Sequence, residues 1–391
     1  MKNEVRLDRV FREVKDLVPI EGVELLTPST VHGVVPQATL EMRPQQAFRD
    51  GYSVAPAQPN DFVISLSSHA YGIEWCGIHG GISPDYTLLR PIVDIRYGRY
   101  LKYALKSQYI IGQLGVFKTG VRMGLRLQWN KVRYCKIELP SIEEAEKLAD
   151  HLDRATTRVD TLIARKVCFI ELLREKRHAL IAQAVTKGLD TGAPMKDSGV
   201  EWLGMVPANW TTKRLRFLCD VTTGGKDTVN ATPDGEFPFY VRSQEVERID
   251  TYSADCEAVL TAGDGAGVGK VYHYANGKFD FHQRVYMMYN FRGVRGKFFY
   301  HYLQSLFAAV ALDGGAKSTV DSLRMPVFKN FNITIPSLSE QDEIIGFIEE
   351  RSFRIDTLIT KTERSIELLR EHRKALITAA VTGKIDLREA A

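Results

Sequence analysis

The sequence contains RVDTLIARKVCFIELLREKRHALI at residues 158–181 and RIDTLITKTERSIELLREHRKALI at residues 354–377. The copies lie 196 residues apart (354 − 158 = 196), and the likeness extends without a gap over residues 139–190 and 335–386. Solenoid repeats have units of roughly 20–50 residues, which is much shorter than this period. The sequence therefore predicts that two whole halves were duplicated. A duplicated protein of this kind commonly reads a target that has two parts.

Both copies have the pattern of one long helix. Ser141 and Ser337 stand at their starts, each followed three residues later by a glutamate, as in a helix N-cap with a capping box. Gly188 and Gly383 stand near their ends. Such a helix would be about 65 Å long, and its narrow apolar stripe predicts packing against an equally long partner. Each copy is the obvious partner of the other, and independent stalks that dimerise between chains are the alternative. The predicted stripes consist of Leu148, Leu152, Ala155, Val159 and Leu162, and of Ile344, Ile348, Ile355, Leu358, Ile366, Leu369, Leu376 and Ala380.

The remaining sequence predicts two globular segments, residues 1–138 and 205–334, which precede the helical segments 139–190 and 335–391; residues 191–204 form a connector. Short strand-like runs such as FVISL (62–66) and KVYHY (270–274) alternate with turns such as ANGK (275–278). GRYLKYALKS (98–107) and GKFFYHYLQS (296–305) predict a matched short helix in each segment. The segments are otherwise so different that they are expected to meet different targets.

The composition is that of an ordinary soluble globular chain, with 44% hydrophobic and 26% charged residues. There is no apolar run long enough to span a membrane, and the charged start MKNEVRLDRVFREVKDL does not resemble a signal peptide. Five scattered cysteines without C-x-x-C pairs predict reduced thiols rather than disulfides or a zinc site. We therefore expect a cytoplasmic protein. Its net charge of +4 permits a nucleic-acid partner without requiring one.

Motifs of intrinsic catalysis are missing from the sequence. GDGAGVGK (263–270) fits neither the dinucleotide-binding pattern nor the P-loop pattern, and a strand-like run follows it, so it predicts a tight connection between strands. The Asn/Asp-Pro-Pro-aromatic tetrapeptide typical of amino-methyltransferases is absent, as are zinc-binding histidine spacings and the G-x-S-x-G nucleophile motif. These absences favour a protein without its own active site or cofactor.

Basic, amide and aromatic side chains alternate in several stretches, as is typical of surfaces that contact phosphates and base edges. The equivalent loops before the two long helices and the basic–aromatic strands supply the candidate DNA contacts. These candidates are Lys118, Arg122 and Arg126 in the first half, Lys317, Ser318 and Thr319 in the second, and then Arg214, Arg242, Gln244 and Arg284.

VEWLGMVPANW (200–210), IPSLSEQDEI (335–344) and the two ELLRE-containing helices resemble the specificity subunits of type I restriction–modification systems over essentially the whole chain. The first repeat departs from this pattern with EEAEKL (143–148), and the first globular segment lacks the WLG-x-VP-x-x-W entry. The resemblance implies an α+β fold in which two similar mixed α/β target-recognition domains are separated by two long helices packed as an antiparallel coiled coil with pseudo-two-fold symmetry.

The same resemblance implies a non-catalytic subunit that reads a bipartite site on double-stranded DNA. The difference between the two globular segments predicts that this site is asymmetric. It implies docking of two modification subunits, which would bind S-adenosylmethionine and methylate adenine, and of restriction subunits that cleave unmodified DNA. Two other functions are weighed against it. The helices could serve a scaffold that binds proteins without recognising DNA, and a self-sufficient methyltransferase would need motifs that the sequence lacks.

Overall fold

The computed structural model describes residues 4–30, 32–40, 52–117, 127–312 and 325–384. The chain forms two compact units, Met1–Val167 with Glu363–Ala391, and Cys168–Thr362. Each unit therefore contains one globular segment and part of each long helix. Because these units divide both helices, the domain limits proposed from the sequence remain a prediction.

Among its described residues, the first unit contains eleven strands and four short α-helices, besides its parts of the two long helices. The strands are β1 (Glu4–Arg6), β2 (Phe11–Glu13), β3 (Val18–Pro19), β4 (Leu25–Ser29), β5 (Gly33–Pro36), β6 (Ser53–Ala57), β7 (Phe62–Ile64), β8 (Glu74–Trp75), β9 (Gly80–Ile82), β10 (Thr87–Pro91) and β11 (Lys136–Glu138). The helices are α1 (Ser68–Tyr71), α2 (Gly98–Ala104), α3 (Gln108–Val116) and α4 (Trp129–Val132). The strands form sheets in the orders β2-β10-β7-β8, β3-β6-β9-β4-β5 and β1-β11.

The second unit is built around one larger sheet. Its strands are β12 (Met195–Asp197), β13 (Met205–Pro207), β14 (Thr211–Arg214), β15 (Asp220–Thr223), β16 (Phe237–Tyr240), β17 (Glu247–Ile249), β18 (Ala254–Ala262), β19 (Tyr272–Phe281), β20 (Val285–Tyr289) and β21 (Asn332–Ile335). The six-stranded sheet has the order β15-β20-β18-β19-β16-β17, and β12-β13 and β14-β21 form separate pairs. The long helix α5 (Ile142–Lys187) precedes these strands, and the remaining helices are α6 (Gly296–Leu312), α7 (Met325–Lys329) and α8 (Leu338–Val381).

Both long helices begin at the predicted serines. The backbone N–H of Glu144 donates to Ser141 Oγ over 3.3 Å, and that of Glu340 donates to Ser337 Oγ over 3.2 Å. The carboxylate of Glu340 accepts a hydrogen bond from the buried Trp210 Nε1 over 3.0 Å. The serine half of the predicted capping box is therefore confirmed, while Glu340 ties α8 to the VPANW segment.

The two helices pack antiparallel within each unit, as predicted. In the first unit, Leu148 and Leu152 from the start of α5 share a buried core with Ile377 from the end of α8. In the second unit, Ile181 from the end of α5 shares a core with Ile348 from the start of α8. The predicted apolar stripe was wrong at two positions: Leu162 and Leu358 are 43% and 46% exposed instead of buried between the helices.

The identical motifs of the repeats contact each other across the two helices. In the first unit, Arg373 Nε donates to Asp160 Oδ1 over 2.9 Å. In the second unit, Arg177 Nη1 lies 3.2 Å from Asp356 Oδ1. A shift of 196 residues turns Asp160 into Asp356 and Arg177 into Arg373, so one interhelix contact is made twice. This explains why R-x-D-T-L-I and ELLRE-x-R occur in both copies.

The predicted matched short helices are α2 and α6, and each is fastened to a long helix in the same way. Arg99 on α2 forms an ion pair with Asp153 on α5. Lys297 on α6 forms one with Glu349 on α8, with an Nζ–Oε1 distance of 2.6 Å. Since 349 − 153 = 196, the acidic partners are again repeat equivalents.

One local prediction was wrong. Residues 275–278 (ANGK) do not form a turn but lie inside β19, where Asn276 pairs with Glu257 and Gly277 with Cys256 of β18. The strand continues because β18 supplies antiparallel partners along residues 272–279. Tertiary pairing therefore overrides the turn preference of the Asn-Gly pair.

Helices α2 and α6 differ at one equivalent position, and this difference predicts how the stability of the protein depends on pH. Tyr103 donates its hydroxyl to Asp153, whereas its equivalent is His301, whose Nδ1 is buried and has no hydrogen-bond partner among the described residues. Burial, with smaller contributions from Arg177 and Lys297, lowers the pKa of His301 to about 4. As the pH falls from 6.5 towards 4, His301 therefore becomes protonated in the unfolded chain but stays neutral in the folded chain. His301 consequently costs stability across this window.

We expect His301→Tyr to remove that cost. The melting temperature of the variant relative to the unaltered protein should rise as the pH is lowered from 7 to 4.5, because tyrosine stays neutral throughout. Thermal denaturation followed by circular dichroism at both pH values measures this difference. His178→Tyr on the exposed side of α5 is the matched control. An identical difference in melting temperature at both pH values would contradict the assignment.

Candidate nucleic-acid interface

The strongest cluster of candidate contacts lies in the second unit, around one carboxylate. Arg242 follows β16, Asp264 follows β18, and Arg284 immediately precedes β20. Asp264 accepts a hydrogen bond from Arg242 Nη1 over 2.8 Å and another from Arg284 Nη1 over 2.9 Å. The two arginine side chains are 40% and 57% exposed. Two predicted DNA contacts, 42 residues apart in sequence (284 − 242), therefore meet on one surface.

The glycine-rich connection GDGAGVGK holds this arrangement together. The backbone N–H of Gly263 donates to the carbonyl of Arg284 over 2.8 Å. A Cβ at Gly267 would lie 2.6 Å from the carbonyl oxygen of Arg242, and Gly265 has a φ of +75°. Side chains at these places would collide with the backbone or strain it. The predicted connection between strands is confirmed, and its glycines allow close contact with both arginines.

His282 and Gln283 fix the turn that carries Arg284. His282 is almost fully buried, and its Nδ1 accepts the backbone N–H of Arg284 over 2.9 Å. Burial, followed by the charge of Arg242, lowers the pKa of His282, so the ring is neutral at pH 7 and can act as this acceptor. Gln283 Nε2 donates to Asp227 Oδ2 over 2.8 Å. The turn is therefore held from both sides before any ligand binds.

Gln244 lies two residues beyond Arg242, in the same connection between β16 and β17, and is exposed. The carbonyl of the intervening Ser243 lies 2.9 Å from His273 Nε2, which anchors this connection to β19. Gln244 is thus placed near the arginine pair and open to solvent, as a candidate base contact requires.

Arg214 belongs to a different surface. It ends β14, where it pairs with Asn332 of β21, and it lines a concavity with Lys213 and Phe217. The equivalent position in the first unit is Arg6, which ends β1 opposite Lys136 of β11. Arg6 was not among the residues predicted from the sequence, although the Arg-Leu pairs at 6–7 and 214–215 indicate that Arg6 and Arg214 are equivalent.

Arg6 is part of a basic and aromatic cluster in the first unit. The guanidinium carbons of Arg6 and Arg133 lie 4.6 Å and 4.9 Å from the centre of the Tyr134 ring. Such cation–π stacking holds arginines against a surface. Arg6 Nη2 also forms an ion pair with Asp8, and Arg133 Nη2 donates to Tyr134 Oη over 2.9 Å. This cluster is the described candidate surface of the first unit.

The six remaining predicted contacts lie outside the described residues. They are Lys118, Arg122, Arg126, Lys317, Ser318 and Thr319. A polar cleft of about 440 Å³ in the first unit is lined by Gln128, Trp129 and Asn130 together with Glu13, Ser65, Asp85 and Thr87. This cleft is a second candidate surface of the first unit, in addition to the cluster around Tyr134.

Within the part of the chain that the structure describes, no group of three or more His, Cys, Asp or Glu side chains is arranged to hold a metal ion. The same residues include no helix of the length and apolarity needed to cross a membrane.

Comparison with known proteins relates the second half of the chain to DNA specificity domains. Residues 207–368 match the family model of the type I restriction modification DNA specificity domain. The type I restriction enzyme EcoDI specificity subunit of Escherichia coli is 28% identical over 182 residues, which is 46% of this chain and 40% of that relative. The alignment thus spans less than half of the curated relative.

Solved structures share the fold over nearly the whole chain. A chain solved in work on complex assembly and conformational transition of the type I R-M system has a TM-score of 0.69 at 16% identity, with 97% of each chain covered. The HsdS subunit from Thermoanaerobacter tengcongensis has a TM-score of 0.51 at 15% identity and covers 98% of this chain and 97% of its own. Together, these comparisons show that residues 207–368 are similar to the type I restriction modification DNA specificity domain and that the chain shares its fold with the HsdS subunit.

Proposed function

We propose that the chain is a non-catalytic reader of double-stranded DNA whose two units read the two parts of an asymmetric site. The observation that carries this proposal is the convergence of Arg242 and Arg284 on Asp264, within the segment that matches the DNA specificity model. Exposed guanidinium groups held in one place suit base-edge recognition in the major groove. A protein-binding scaffold would not need this arrangement.

The two units offer different candidate surfaces on a shared frame. The second unit presents the Arg242 and Arg284 pair, and the first presents Arg6 and Arg133 on Tyr134. Different surfaces would read different base sequences, which supports an asymmetric rather than a palindromic site.

We expect Arg242→Ala and Arg284→Ala each to weaken binding to the preferred sequence by about tenfold or more, the usual loss for a base-contacting arginine. The preferred duplex is obtained by selection from a randomised library with the unaltered chain, and affinities are measured over a range of salt concentrations.

The matched control is Arg292→Ala. Arg292 pairs with Asp220 over 2.6 Å beyond the other end of β20, a strand about 17 Å long, so its loss should change the affinity little. Equal weakening by all three substitutions would contradict the assignment. A scaffold without DNA recognition would enrich no sequence at all.

We further infer that two copies of a modification subunit dock on the long helices, and that these partners, not this chain, bind S-adenosylmethionine and methylate adenine; restriction subunits would join them to cleave. Exposed leucines support this. Leu162 and Leu358 are repeat equivalents and are 43% and 46% exposed, and Leu172 and Leu368 are 56% and 50% exposed. Each unit therefore carries an equivalent pair, as two identical partners would require.

Replacing Leu162 and Leu368 together by serine should remove one modification subunit and leave the other bound. Burial of two leucines at a protein interface contributes enough that affinity for that copy should fall by about 100-fold. Native mass spectrometry of the purified complex measures the stoichiometry.

Phe353→Ser is the matched control, because Phe353 is 74% exposed on α8 but its repeat equivalent is Thr157. Retention of two modification subunits by the double leucine variant would refute this docking surface.

A further inference from the structure

Asp264 lies between two arginines of the candidate interface and itself offers no positive charge to DNA. Arg242 and Arg284 each use Nη1 to contact it, and no further hydrogen bond from either guanidinium group is found within the described ranges. The Nη2 and Nε edges are therefore available to a ligand. Two positive charges and one negative charge leave a net charge of +1 on the cluster.

The backbone around Asp264 constrains both arginines as well. Gly263 donates to the Arg284 carbonyl, and Gly267 lies so close to the Arg242 carbonyl that a Cβ there would be 2.6 Å from it. The side chain of Asp264 is only 20% exposed, whereas those of the arginines are far more accessible. One short connection thus sets the positions of both arginine backbones and the direction of both guanidinium groups.

A site that only attracts phosphates would lose affinity from a carboxylate within 3 Å of both guanidinium groups, since the carboxylate repels phosphate and halves the net charge. A site that reads a base edge gains from it. An arginine loses rotamer freedom when it is fixed, and holding it beforehand removes that cost from binding. The base edge that a guanidinium recognises with two hydrogen bonds is that of guanine, through O6 and N7.

We propose that Asp264 is a positioning residue that holds Arg242 and Arg284 ready to read guanine in the half-site of the second unit. This proposal rests on the proposed DNA-reading function. Asp264 acts through the two arginines: it increases their specificity for guanine and lowers the net positive charge that attracts DNA.

The test is Asp264→Ala, assayed on the library-selected duplex and on a scrambled duplex of the same composition. Affinity for the selected duplex should fall about tenfold, the usual weight of a bidentate guanine contact. Affinity for the scrambled duplex should stay level or rise, because the local net charge increases from +1 to +2.

Asp220→Ala is the matched control. It removes the same charge from β15 of the same sheet and frees Arg292, so it should leave the ratio between the two affinities unchanged. Thermal unfolding of both variants verifies that they are folded.

A second probe tests the guanine itself. Replacing each guanine of the selected duplex in turn by 7-deazaguanine removes the N7 acceptor. At least one position should weaken the unaltered chain by about fivefold or more, and the same replacement should have little effect on the Asp264→Ala variant.

If Asp264→Ala weakened binding to both duplexes equally, Asp264 would have a merely structural role and the proposal would be overturned. An unchanged ratio of the two affinities would also overturn it. So would a result in which no 7-deazaguanine weakened binding of the unaltered chain. If the unaltered chain failed to distinguish any selected sequence from a scrambled one, the proposed function itself would fall.

Discussion

The contact on which the fold depends is the antiparallel packing of the two repeat helices, with Asp160 paired to Arg373 in one unit and Asp356 to Arg177 in the other. These ion pairs are partly exposed, so each contributes only about 0–1 kcal/mol to stability. The stability comes from the buried side chains beside them, such as Ile377 and Ile348. The ion pairs instead specify which residues of the two helices face each other.

This repeated interface explains which parts of the chain can diverge. Arg99 and Lys297 fasten the short helices to the long ones through equivalent acidic residues, Asp153 and Glu349. Strands β1 with β11 and β14 with β21 close each globular segment in the same antiparallel manner. The rest is free to differ, and the sheets of the first unit bear little likeness in strand order to the six-stranded sheet of the second. The two units therefore share a frame and differ in the surfaces that they present.

The helical frame could be predicted from the sequence because its signals are local. Ser141, Ser337, Gly188 and Gly383 mark helix ends within a few residues of the structural ones. The prediction of a turn at ANGK was wrong because β18, the strand that keeps these residues extended, is distant in sequence from the four residues on which the prediction was based. Leu162 and Leu358 were placed in the buried stripe, although they are exposed, because periodicity identifies an apolar face but not what covers it.

The candidate site could be predicted only in part. Arg242 and Arg284 were identified from their basic and aromatic surroundings, yet Asp264 was missed although it joins them. Asp264 is 22 residues from one arginine and 20 from the other (264 − 242 and 284 − 264), and only the pairing of β18 with β20 and the glycine contacts bring the three together. A charge cluster assembled by non-local strand pairing leaves no motif in the sequence.

We propose that one duplicated frame carries two different DNA readers. Methylome sequencing of cells that express the chain with the proposed modification subunits tests this proposal most directly. Methylated adenines are expected in a two-part motif, with different sequences in the two halves and a fixed number of unread base pairs between them. A single contiguous motif, or a palindromic one, would contradict it.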